Sequence, residues 1–208
     1  MTAEYLNAAV REPPSKLDRG VLFFCLWMAA LTVLTVSGCR KAPMGPQVAP
    51  DAQLVEMGLG AAEYVETVDA VCPVPQEWRA EPLKQSSSHV HQVWLSPSGK
   101  TAYGVIRFNL PLPLGHNFVL RHFLRQMRQS EGEAILLEEQ WDPNLRGIRF
   151  VAEGGLYKIR TNLMVRGFRG WAIYAGTLRD QPAQPQELQL AERARDHTAI
   201  GRPEEVAK

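Results

Sequence analysis

The chain has 208 residues with 23 basic and 22 acidic side chains, a formal net charge of +1 at neutral pH. That balance supplies no broad field to draw nucleic acid and no acidic tail to solvate the chain, so neither partner class is indicated. A hydrophobic content of 45% is that of an ordinary globular protein, and three cysteines are too few for a disulfide framework.

Residues 1–20 carry Arg11, Lys16 and Arg19, and the uncharged apolar run that follows ends at Val36-Ser37-Gly38-Cys39. A basic stretch, an apolar stretch and small residues before a processing point form a secretory leader. The same run is long enough to read instead as an uncleaved span, since about 20 residues suffice, and positive charge on both sides of it sets no orientation. The branched residue, Ser-Gly and Cys resemble a bacterial lipobox. The resemblance implies a diacylglycerol on the Cys39 sulfur, cleavage after Gly38 and an acylated new amino terminus, with the membrane as one partner. It also implies an outer-membrane address in a diderm host, because Arg40 stands where an Asp marks retention at the inner membrane. Losing residues 1–38 removes three basic residues and three acidic ones (Glu4, Glu12, Asp18), so the charge is unchanged. Cys25 leaves with the leader and Cys39 carries lipid, which leaves Cys72 without a mate.

Residues 39–62, with Pro43, Pro46 and Pro50, read as a tether, with a short helix near Ala52 to Met57. From Glu63 to Gly201 the pattern is that of a folded domain. His89 to Leu95 and Thr101 to Asn109 form a hairpin about Ser96-Pro97-Ser98-Gly99. After Pro111-Leu112-Pro113, Asn117 is placed to cap a helix to Ser130, with Leu120, Phe123, Leu124 and Met127 on one side. Ile135 to Trp141 and Gly147 to Glu153 flank an Asp142-Pro143-Asn144 turn, and Gly154-Gly155 offers positive φ for a tight turn. Leu156 to Arg166 alternates, which predicts one packed face and one face that is wet or covered by polar contacts. Trp171 to Leu178 is the next strand. A last helix has Pro185 in its first turn and Gly201 past its end, and residues 202–208 read as a disordered tail. The order predicts an α+β fold: an antiparallel sheet of about six to eight strands with flanking helices.

Val71-Cys72-Pro73-Val74-Pro75-Gln76-Glu77-Trp78 resembles the strand, Pro and Trp that open the PsbP-like family, and Gly170-Trp171-Ala172-Ile173-Tyr174 before a closing helix is similar in order. The resemblance implies an α/β/α sandwich that docks onto larger assemblies without catalysis. Neither the Pro111 to Pro113 detour nor the arginine-rich helix matches that pattern.

Candidate chemistry is sparse. His89 and His91 project from one face of a strand and begin a metal site only if His116 or a carboxylate of the second half joins them; otherwise they are a solvated strand face. Cys72 is a nucleophile only beside a base that lowers its pKa, and its apolar neighbours favour a small buried side chain. Glu131 with Glu133, and Glu138 with Glu139, do not make a hydrolase pair, because neighbours on a strand point to opposite faces. There is no phosphate loop, G-x-S-x-G elbow or C-x-x-C. Arg121, Arg125 and Arg128 form a basic helical stripe that, with Arg146, Arg149, Arg160, Arg166 and Arg169, predicts a surface for an anionic partner. Trp78, Trp94, Trp141 and Trp171 are core or contact aromatics, with core favoured for Trp171. These features predict a lipid-anchored, non-catalytic binding or assembly module with a protein partner in the envelope and neither cofactor nor metal. The competing reading is a metal- or Cys-dependent envelope hydrolase using His89, His91 or Cys72.

Overall fold

Trp171, Ile173 and Ala175 alternate with Ala172 and Tyr174, and every one of the five is buried. A strand apolar on both sides must have a layer on each face, and that requirement organises the protein. The computed structural model describes residues 49–86 and 89–202; the leader, Gly38, Cys39 and the tail beyond Arg202 lie outside them. The elements are α1 (Asp51–Glu56), β1 (Leu59–Val65), β2 (Ala70–Pro75), β3 (Arg79–Ala80), β4 (Lys84–Gln85), β5 (His89–Leu95) and β6 (Thr101–Asn109), then α2 (His116–Glu131). There follow β7 (Ala134–Asp142), β8 (Gly147–Gly154), β9 (Tyr157–Arg166), β10 (Arg169–Leu178), α3 (Pro185–His197) and β11 (Ala199–Ile200). The fold is α+β and mostly antiparallel sheet.

The large sheet has eight strands in the order β3-β5-β6-β10-β9-β8-β7, with β4 beside β5. The small one is β1-β2-β11. One face of the large sheet packs Ala172, Leu163, Ile148 and Phe150 against Val119, Leu120, Phe123 and Met127 of α2. The other packs Trp171, Ile173, Tyr103 and Met164 against Ala191 and Ala194 of α3, Cys72 of the small sheet and Leu54 of α1. Indole Nε1 of Trp171 donates to Val68 O at 2.8 Å, tying the two sheets. The hairpin turn is likewise tied to α3: the Ser98 amide and hydroxyl donate to the buried Glu187 carboxylate at 3.2 and 2.6 Å.

Several local expectations change. Leu54 and Leu59 have no exposed surface, so residues 51–62, expected within a tether, belong to the folded body. The cap of α2 is Gly115 without a side-chain bond, and Asn117 lies inside the first turn; the helix ends at Gly132, with φ 80°. The Gly154-Gly155 pair does not use positive φ. Its reason is close approach, since a Cβ on Gly155 would fall on the Glu131 carbonyl oxygen and one on Gly154 on the Glu131 carboxylate. The last helix stops at His197, because Ala199 and Ile200 leave it to pair with Val71 and Ala70. Both faces of β9 are covered: Met164 is fully buried on the side expected to be wet, while Arg160 and Asn162 on that side bond Glu192 and Asp196 of α3. Among the described residues no helix is long and apolar enough to cross a membrane.

Candidate functional site

α2 lies over β7, β8 and β9 and reaches Ala172 of β10 and Phe108 of β6, which leaves the same sheet face open over β5 and around Ala102 and Gly176. Two positions hollow that floor. Ala102 and Gly176 face each other across β6 and β10, and two positions along the same strands Gly104 faces Tyr174. The result is a cleft of about 480 Å³, walled by Phe123 and Met127 of α2 on one side and by Lys84, His89 and His91 on the other. Its size is that of a small-molecule site, roughly 300–1,000 Å³.

Gly104 creates the cleft's polar feature. Its missing side chain lets the Tyr174 ring lie across β6, so that a Cβ there would sit 2.5 Å from Cζ and the phenol oxygen. The phenol reaches β5 and bonds His91 Nε2 at 2.7 Å, with ring centroids 5.7 Å apart. Burial, then the positive charges of Lys84 and His89, lower the His91 pKa to about 4. Burial, then the nearby Tyr157, raises that of Tyr174. At neutral pH the imidazole is therefore uncharged and the phenol keeps its proton. A general acid or base works best with a pKa near the working pH, and this pair lies far from it on both sides.

His89 and His91 do share the cleft, but His89 bonds the Ser86 hydroxyl at 2.9 Å and His116 stacks edge-on against Trp141, centroids 5.1 Å apart. The third ligand foreseen in His116 is thus engaged elsewhere, and no group of three or more His, Cys, Asp or Glu suited to a metal occurs among the described residues. Cys72 lies in the core on the opposite face of the sheet. It has no exposed surface, and burial, only partly offset by a bond with Tyr103, pushes its thiol up to about 12. The reactive thiolate is suppressed, and Cys72 sits as the small buried side chain that its apolar neighbours favour. Glu138 and Glu139 are exposed on β7 opposite Val151 and Phe150, and they form no catalytic pair across the cleft.

Arg121, Arg125 and Arg128 are exposed on α2, Arg128 also donating to Ala134 O at 3.2 Å. Three of the further arginines are held in ion pairs: Arg149 with Asp142 at 2.6 Å, Arg160 with Glu192 at 2.6 Å and Arg169 with Asp69 at 3.0 Å. Trp78, Trp94 and Trp171 are core, whereas Trp141 is 53% exposed. Sequence reasoning passed over Lys84, Gly104 and Tyr174 as site residues. Tyr174 and His91 are 83 positions apart, and no local spacing announces their meeting.

No family model matches the sequence, and no curated protein matches it. Among solved structures, the fold is similar to a crystal structure of a protein from Bacteroides thetaiotaomicron VPI-5482, with a TM-score of 0.38 and 10% identity. The match covers 70% of this chain and 50% of the other, so this chain spans about half the length of that neighbour.

Proposed function

We propose that this protein is a bacterial envelope lipoprotein, anchored through an acylated Cys39 after cleavage at Gly38, whose domain works by binding and not by catalysis. The observation that carries the binding reading is the cleft itself: a mostly apolar cavity in which the hydrogen-bonded pair of His91 and Tyr174 is neutral at pH 7. Concave, largely apolar sites with a few placed polar groups are the usual form of ligand pockets. A PsbP-like sandwich is the finer architectural reading, supported by a helix on each face of one antiparallel sheet. The exposed Arg121, Arg125 and Arg128 are the proposed contact for an acidic protein partner in the envelope. Arg40 favours the outer membrane in a diderm host.

Mass spectrometry of the intact protein from membranes tests the anchor. The expected mass lacks residues 1–38 and carries acyl chains on Cys39; an intact initial methionine with a bare Cys39 thiol would refute it. Hydrolytic turnover by the purified protein that depends on an added metal or on Cys72 would refute the binding reading.

A further inference from the structure

We infer that the cleft seats a single-chain amphiphile with a carboxylate head, a long-chain fatty acid, its tail on the hollowed floor and its head at Lys84. The inference rests on the binding reading above and names the ligand class. Small side chains at Ala102 and Gly176 lower the floor into a groove, while Phe123, Met127 and Ile159 supply apolar walls. The volume falls in the lower half of the range for small-molecule sites, which suits one chain better than two.

Charge decides the head group. Of the two carboxylates at the cleft, Glu81 pairs with Arg79 at 3.1 Å, while Glu131, at the end of α2, accepts from the Leu156 amide at 3.2 Å and keeps its charge. Lys84 is exposed, directly opposite His91 in the β4–β5 register, and has no carboxylate partner among the described residues. On the β4–β5 wall the Lys84 ammonium, without an ion-pair partner and beside the neutral His–Tyr pair, is the point that attracts an anionic head, and the Glu131 carboxylate on the α2 wall turns that head away from itself. A carboxylate held there by a charge-assisted bond leaves the chain lying along the floor.

The test uses the full-length protein in lipid nanodiscs with three photoactivatable diazirine probes of equal chain length: hexadecanoate, hexadecanol and a lysophosphatidylcholine. Hexadecanoate is expected to label cleft peptides of α2 or β6 most strongly, to be displaced by unlabelled hexadecanoic acid, and to be recovered chemically unchanged. Lys84→Gln, a surface change that leaves the urea midpoint where it was, is expected to cut that labelling about tenfold at low probe concentration and to leave hexadecanol labelling unaltered. Equal labelling by hexadecanol, stronger labelling by the lysolipid, indifference to Lys84→Gln, or cross-links only outside the cleft would each overturn the inference. Conversion of the probe to another product would instead overturn the non-catalytic reading on which it rests.

Discussion

Replacing Gly104 by alanine puts one methyl group where Tyr174 lies. The new Cβ would stand 2.5–2.6 Å from three atoms of that ring, well inside van der Waals contact, so the buried ring must swing away from β6. That costs the 2.7 Å bond to His91, about 1 kcal/mol, and about 1–3 kcal/mol of overpacking and displaced aromatic contact. Against this stands a gain of about 0.5–1 kcal/mol, since alanine is less free than glycine in the unfolded chain. The net expectation is a loss of about 1–3 kcal/mol, read as a lower urea midpoint with unchanged m-value. A double-mutant cycle isolates the cause. In a Tyr174→Leu background no ring crosses position 104, and Gly104→Ala should become neutral or slightly stabilising. An equal loss in both backgrounds would refute the argument that Tyr174 depends on the gap left by Gly104.

The pKa of His91 gives a pH signature. It is about 4 in the folded protein and about 6.5 in an unfolded chain, so below pH 6.5 the unfolded state binds a proton that the native state refuses. Stability is full above about pH 6.5 and declines toward pH 4, by at most roughly 3 kcal/mol from this group; His91→Gln should remove that part of the slope in urea titrations. The Cys72 peptide should resist thiol reagents in the native protein and react in step with unfolding, followed by peptide mass; rapid native labelling would contradict its burial. Two glycines should separate close approach from backbone conformation. Gly155→Ala drives a Cβ onto the Glu131 carbonyl oxygen and should cost about 1–3 kcal/mol. Gly99→Ala meets no atom within 4 Å and pays only for its φ of 72°, about 1 kcal/mol. Thermal or urea unfolding of the two variants checks the order.

The elements that local patterning announced are those whose stability is local or nearly so. The β5–β6 hairpin formed about Ser96–Gly99 because a turn and two flanking strands lie within one short stretch, with Ser96 N bonding Thr101 O at 2.9 Å. α2 formed because Leu120, Phe123 and Met127 repeat at helical spacing and fill one core. The strand readings at β8, β9 and β10 held for the same reason, and with them the α+β class. The small sheet escaped notice because Ala199 and Ile200 find Val71 and Ala70 more than a hundred residues back, and no periodicity in either segment encodes the other. Trp141 shows the same limit: its sequence leaves it a core or a contact aromatic, and the place of β7 at the edge of the large sheet leaves the ring exposed.

The amino-acid order by itself determined the uncharged apolar run that precedes Cys39 and announced most of the strand and helix segments, since each follows from neighbouring residues. Only the tertiary structure decided that α2 covers part of one sheet face and leaves a cleft beside it, that Gly104 admits Tyr174 to His91, and that Lys84 stands there without an ion-pair partner among the described residues. These depend on strand order and on side chains meeting across tens of residues, and packing, not local propensity, sets both.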